Sequence, residues 1–476
     1  MKKNDIFAMK ADHLGADMEG ICHHEGMAVF VPGLLPGEET DVRIVKTEKR
    51  FAFGRMEHAP NIPSPDRVLP DCGVFPRCGG CSCRHMTYSA SLEAKRLHVR
   101  DCFERIGKIR LDVPPVIGMN MPSAYRNKTA LPVGGTSDQP ELGFFAPRSH
   151  TLIPAISCPN ALPPAGSIAA AFQKWMRSYH IAPYQEEMHS GIIRHLVIRV
   201  NRRGEAMVTI VINASSLPHT AELWKVIEPL GTVSLYLNIN RAKSNVILSN
   251  SFILLYGSET LSDTLCGLHF RLSPASFFQV NPLQTERLYE TALSFAALTP
   301  QDSLCDVYCG AGTITLMMAS HCAHATGIEI VPDAILNAKE NAVRNRINNV
   351  SFLAGKAEVL LPQMVSDGLR PDVIIVDPPR KGLDPEVIEA IAEASPSRLV
   401  YISCNAATQA RDAALLYAHG YTIRKIQPVD MFPFTSHVET VALLINQNAK
   451  AKRHMRIGID AEDYNRIKDS EKKADE

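Results

Sequence analysis

The chain of 476 residues lacks several things, and each lack excludes a class. No apolar run approaches the roughly 20 residues that a membrane-spanning helix needs. Net charge is also missing, since 50 Lys and Arg balance 50 Asp and Glu. A protein that coats nucleic acid without selectivity needs a large basic surface, so this balance leaves room only for a local basic groove. The first residues, "MKKNDIFAMKADHLGADMEG", carry lysines but no continuous apolar stretch behind them. They do not read as a secretory leader, and the expected compartment is the cytoplasm, without a membrane partner. No internal repeat is visible. The chain is too long for one ordinary core, so several domains are expected.

Cysteine, by contrast, is plentiful, with 12 residues. In a reducing compartment these are thiols, metal ligands or catalysts before they are disulfides. Local basic stretches occur at Arg84, Lys95, Arg96 and Arg100, and again at Arg194, Arg199, Arg202 and Arg203. Each reads first as a solvated helix or strand face.

The pattern of runs predicts an α/β multidomain protein. Residues 1–60 hold short alternating runs such as "GMAVFVPG", punctuated by Gly and Pro, which suggest a small antiparallel β-barrel. The Pro-rich stretch "HAPNIPSPDRVLPD" reads as a linker. Residues 70–270 contain a cysteine cluster and then strand-like and helical runs, read as a central α/β domain. From 271 to 447 apolar strands alternate strictly with amphipathic helices, the pattern of a parallel, doubly wound sheet. Residues 448–476 form a charged tail with few aromatics, expected to be disordered or to have its own partner.

"DVYCGAGT" (306–313) reads as a strand, a glycine turn and a helix start. Glycine there lets the backbone turn tightly and approach a ligand. Glu329, in "GIEIV", ends the next strand about twenty residues on, where this kind of fold sets an acid against ribose hydroxyls. Thr315 stands where a dinucleotide site would have its third glycine, so a ribose ligand without pyrophosphate fits better. S-adenosylmethionine is such a ligand. "VIIVDPPRKGLD" ends a further strand at Asp377, because two prolines prevent its continuation.

"LVYISCNAATQARD" (399–412) ends a strand at Cys404. Alone, Cys404 reads as a small buried hydrophobe, since free cysteine is among the most buried residue types. Four strand ends then point to one sheet edge: Tyr308, Glu329, Asp377 and Cys404. That convergence favours a thiol presented for chemistry.

"DCGVFPRCGGCSC" sets Cys72, Cys78 and Cys81 in a C-x5-C-x2-C array, with Cys158 of "ISCPN" as candidate fourth ligand and Cys83 as a spare. Zinc and iron–sulfur clusters both accept four thiolates. The spacing is not the C-x3-C-x2-C of radical enzymes that leave one iron open.

"SPASFFQVNP", "DVYCGAGT", "VDPPRKG", "YISCNAAT" and "FPFTSHVETV", in this order, resemble the RNA uracil-C5 methyltransferases, which make 5-methyluridine in tRNA and bacterial 23S rRNA. The cysteine cluster and the N-terminal barrel, TRAM- or OB-like, resemble the branch acting on 23S rRNA. The resemblance covers nearly the whole chain except the tail. It implies a Rossmann-like C-terminal methyltransferase domain and a central RNA-binding domain holding a [4Fe–4S] cluster on Cys72, Cys78, Cys81 and Cys158. It implies Cys404 as nucleophile and Glu439, in "SHVET", as base. Gln279, Tyr308, Glu329 and Asp377 would hold the methyl donor, and Phe277 and Phe278 would shape the adjacent wall. The implied partner is RNA, 23S rRNA before tRNA, and the protein is expected to be a monomer. One departure is Ala406, where the family usually has proline.

Two other readings are open to the sequence. An N-methyltransferase could use "DPPR", although such motifs usually end in an aromatic residue that stacks the base, where Arg380 stands here. A non-catalytic RNA-binding module could combine barrel and cluster. In the barrel, Arg43, Lys46, Lys49, Arg50, Phe51 and Phe53 are candidates for phosphate contact and base stacking.

Overall fold

The computed structural model describes residues 1–448, so nearly all of the predicted charged tail lies outside the described residues. At the N-terminus the alternating runs become six strands: β1 (Ile6–Lys10), β2 (His13–Leu14), β3 (Gly20–His24), β4 (Met27–Val31), β5 (Glu39–Thr47) and β6 (Phe51–Met56). Their order is β1-β5-β6-β4-β3-β2. Val29, Val31, Val42, Ile44 and Ala52 fill the interior, and their neighbours in sequence face outward, as the period of two requires. Gly54 has no side chain because a Cβ there would collide with Val42.

The next elements are α1 (Tyr88–Arg105), β7 (Lys128–Gly135), β8 (Pro140–Phe145), β9 (Leu152–Pro154), α2 (Ala165–Ser178), β10 (Ile193–Val200), β11 (Ala206–Ile212), α3 (Thr220–Ile227), β12 (Thr232–Ile239) and β13 (Phe252–Gly257). The strands form one sheet in the order β13-β12-β11-β10-β7-β8-β9. Phe172 and Trp175 of α2 and Leu223 and Ile227 of α3 share its core. Met207 and Tyr236 belong instead to a core shared with the C-terminal domain.

Two segments assigned to the central domain from sequence pack elsewhere. Val99, Cys102 and Phe103 of α1 lie in a core with Ala410 and Ala413 of the C-terminal domain. Gly107 sits against the carbonyl of Ala410, too close for a side chain. The hairpin β14 (Leu261–Leu265) and β15 (Leu268–Leu272) likewise packs into the C-terminal core through Leu261 and Phe270.

The C-terminal domain continues with α4 (Pro282–Ala296), β16 (Ser303–Val307), α5 (Thr313–Ala319), β17 (His324–Glu329), α6 (Pro332–Arg344), β18 (Val350–Ala354), α7 (Ala357–Ser366), β19 (Val373–Val376), α8 (Pro385–Ala394), β20 (Arg398–Ser403), α9 (Ala406–Ala418), β21 (Tyr421–Val429) and β22 (Glu439–Asn446). Its sheet runs β18-β17-β16-β19-β20-β22-β21. The five strands from β18 to β20 are parallel, and β22 enters antiparallel between β20 and β21. The near-continuous apolar runs of β19 and β20 follow from helices covering both faces. No helix among the described residues is long and apolar enough to cross a membrane.

The basic stretches are mostly consumed by the fold. Arg84 is buried and paired with Asp71, and it also donates to Asn160 Oδ1 at 2.8 Å. Arg194 is buried and donates to the carbonyls of Asn240 and Ala242, both at 2.8 Å. Arg199 donates to the Ser276 carbonyl at 2.6 Å, and Arg202 pairs with Glu286 at 2.7 Å. In the barrel, Arg43 pairs with Glu57 and Lys46 with Glu48, whereas Lys49 and Arg50 remain exposed.

Candidate active site

In a parallel sheet the carboxyl ends of the strands share one edge, and loops there carry the chemistry. After β16 the chain turns through Tyr308 (φ 75°), Gly310 (φ 55°) and Gly312 (φ 79°). A Cβ added to Gly310 would meet nothing within 4 Å, so this glycine faces open space. A Cβ on Gly312 would stand 3.0 Å from Ala338 and from the Phe352 ring. Gly310 therefore leaves the turn open at this edge, whereas Gly312 serves packing. Glu329 ends β17 with its carboxylate already oriented by the N–H groups of Gly310 (3.1 Å) and Val331 (2.9 Å). The Tyr308 ring packs against the core below the edge, and its hydroxyl is buried without a partner. What Tyr308 presents at the edge is its left-handed backbone.

Asp377 follows β19. Burial, then the nearby Asp306 carboxyl, pushes Asp377 up to about 7. Asp306 is fully buried and accepts a 2.5 Å hydrogen bond from Thr315, so the residue at the missing-glycine position serves the core. Gln279 is half-buried, and its carbonyl accepts from Asn127 Nδ2 at 2.9 Å. In the same loop Phe278 is buried against Phe270 while Phe277 is 76% exposed. Asn127 gave no sequence signal, because it belongs to β7's approach in another domain.

Cys404 follows β20, half-buried. Because β22 runs antiparallel, its first residue lies at the same edge: Thr440 pairs with Ser403, and Glu439 stands next to Cys404. Burial raises the Cys404 thiol above its ordinary range, Glu439 and Asp377 add to this, and Arg380 opposes it. Glu439 is 6% exposed, and burial, then Asp377, pushes it up to about 8 against the pull of Arg380. Arg380 is thus a cation that acts on both groups. The sequence flagged it only as an unexpected residue after "DPP". Ala406 begins α9, and Asn405 caps the helix. Asn405 Oδ1 accepts from Ala407 N at 3.0 Å, and its Nδ2 donates to the Arg380 carbonyl at 3.2 Å.

Cys72, Cys78, Cys81 and Cys158 all carry free, half-buried thiols. They share one neighbourhood: Cys72 and Cys158 act electrostatically on Cys78, and Cys158 acts on Cys81. The N–H of Gly80 points at the Cys78 sulfur and Nδ2 of Asn160 at the Cys81 sulfur, both at 3.4 Å. Among the described residues no three His, Cys, Asp or Glu side chains stand close enough to hold a metal as placed. The chemistry of the donor set, with N–H groups aimed at sulfur, fits a thiolate-ligated group. Cys83 is buried, and its thiol points to the Thr435 carbonyl at 3.8 Å.

Known proteins give the same architecture. Residues 232–447 match the family described as tRNA (Uracil-5-)-methyltransferase, and residues 12–56 match the TRAM domain. An uncharacterised RNA methyltransferase of Clostridium tetani is 40% identical over 95% of this chain and 99% of its own. One from Halalkalibacterium halodurans is 42% identical over 94% and 98%. The crystal structure of Pyrococcus abyssi tRNA (uracil-54, C5)-methyltransferase in complex with S-adenosyl-L-homocysteine aligns with a TM-score of 0.74 at 25% identity. That alignment covers 92% of this chain and 100% of the other. Sheet order, glycine turn, TRAM barrel and relatives agree that the chain belongs to the S-adenosylmethionine-dependent RNA (uracil-5-)-methyltransferases.

Proposed function

We propose that the protein methylates C5 of a specific uridine in 23S rRNA through a covalent adduct between Cys404 and uracil C6. The observation that carries this reading is the juxtaposition of one thiol and one buried carboxyl at the sheet edge. Uracil C5 is a poor nucleophile. Addition of Cys404 Sγ to C6 makes C5 enolate-like and able to accept a methyl group. S-adenosylmethionine, when bound, supplies that methyl as an electrophile on sulfonium sulfur. Glu439 then takes the C5 proton, and Cys404 leaves C6 as thiolate. Arg380 stabilises the charged form of both groups. Glu329 and Asp377 would bind the donor, with Gln279 and the Tyr308 backbone beside them. The target base is extruded from any stack to reach this edge.

Cys72, Cys78, Cys81 and Cys158 would hold a [4Fe–4S] cluster, which we assign to RNA positioning or structure and to no step of the reaction. The rRNA reading rests on that array. A tRNA target is the second reading, favoured by the substrate named for the Pyrococcus enzyme. We place the protein in the cytoplasm as a monomer. Methylation of separately purified 23S rRNA and tRNA with labelled donor decides between the targets. Label in C5 of a 23S uridine is expected, and label in tRNA alone would overturn the rRNA assignment. Anaerobic purification should give four irons per chain and absorption near the visible band of such clusters, both lost in Cys81→Ser.

A further inference from the structure

The loop between β21 and β22, residues 430–438, leads directly into Glu439, and much of the chain grips it. Phe434 lies at its centre in the left-handed conformation, φ 63°, which residues with a side chain adopt uncommonly and at some cost. Its carbonyl accepts the N–H groups of Ser82 (3.0 Å) and Cys83 (3.2 Å). Its ring lies 4.4 Å beneath the Arg84 guanidinium. The same ring packs on a small core made of Met18 and Leu35 from the barrel with Cys83 and Met86. One residue thus joins the barrel, the cysteine loop and the strand that carries the base.

We propose that Phe434 is a positioning residue, latched by Ser82–Arg84, that holds the 434–438 segment closed beside Glu439. The segment is short and ordered: Thr435 Oγ1 donates to the Phe432 carbonyl at 2.8 Å and accepts the His437 N–H at 3.2 Å. His437 in turn lies within the electrostatic reach of Arg380, which also acts on Cys404 and Glu439. Release of the latch therefore loosens the wall of the site on the base's side while Cys404, on β20, keeps its place. The proposal rests on the reading of Glu439 as base.

That asymmetry gives the test. Addition of Cys404 and methyl transfer precede proton removal, so a displaced base leaves methylated RNA bound to the enzyme. Full-length protein is mixed with ordinary uridine-containing RNA and labelled donor, and denaturing gels follow adduct and free product. Phe434→Ala keeps the need for the left-handed turn but removes the ring. Turnover is expected to fall about tenfold while adduct accumulates. Phe434→Gly adopts that turn freely and should recover part of the loss. Circular dichroism checks that both variants fold. A fall of adduct and product in step, or Gly no better than Ala, overturns the latch. Glu439→Gln is the control, and its failure to accumulate adduct would overturn the reading of the base itself.

Discussion

At Glu439 the chain places a carboxyl in a dry site beside Asp377, with one cation, Arg380, in reach. Burial favours the neutral acid, so the group titrates near 8 instead of the ordinary carboxylate range. With Glu439 read as the base, it must be ionised to act after methyl transfer, so kcat for release of free methylated RNA should rise with pH and level off above about 8. The thiol of Cys404 is also raised, which pushes in the same direction. A pH–rate profile for free product under saturating RNA and donor checks this, and a flat profile between pH 6 and about 8 would contradict it. The linked effect on stability has the opposite sign. A carboxyl raised on folding stabilises below its unfolded value, about 4.5, and that contribution is lost as pH rises toward about 8. Glu439→Gln should therefore lose less stability than the natural protein between about pH 5 and about 8, read by thermal melting at each pH.

At the scale of elements, the site depends on how α1 holds the loop after β21. Lys95 Nζ and Asp430 Oδ1 are 2.5 Å apart and both side chains are fully buried. Tyr88 adds a 2.7 Å bond to the other carboxylate oxygen. Lys95→Met leaves Asp430 charged and buried with only Tyr88, and should cost about 3–5 kcal/mol in chemical denaturation. The double variant with Asp430→Asn should recover part of that loss. This pair also marks where sequence reasoning stopped. Lys95 was visible only as one member of a basic stretch, because nothing local reveals a partner 335 residues away. By contrast, the strand ends at Asp377 and Cys404 were legible. A buried parallel strand writes itself as an unbroken apolar run, and Pro378 or a small polar residue marks its end. The antiparallel insertion of β22 was not legible, because β20 and β22 meet only through long-range pairing. The role of Glu439 therefore came from family resemblance and not from periodicity.

For the whole molecule, the zero net charge leaves RNA binding to local basic surface and not to an overall positive field. Most arginines read as basic patches are tied to carbonyls or carboxylates, but Lys49 and Arg50 on the barrel are not buried. Beside them Phe30, Phe51 and Phe53 form a ring cluster with centroids 5.5–5.8 Å apart, and Phe51 is 36% exposed. Lys49→Ala with Arg50→Ala should weaken RNA binding and reduce the salt slope of log Kd by about one to two. An unchanged slope would remove the barrel from the RNA-binding surface. The proposed adduct at Cys404 is tested most directly with RNA carrying 5-fluorouridine at the target position together with S-adenosylmethionine. Fluorine cannot leave C5 as a proton would, so Glu439 has nothing to remove and the adduct is trapped. A denaturing gel should show protein and RNA joined, mass spectrometry should map the bond to Cys404 with one added methyl on the base, and Cys404→Ala should show no adduct. Methyl transfer to ordinary RNA by Cys404→Ala, with no adduct in the natural protein, would contradict the account.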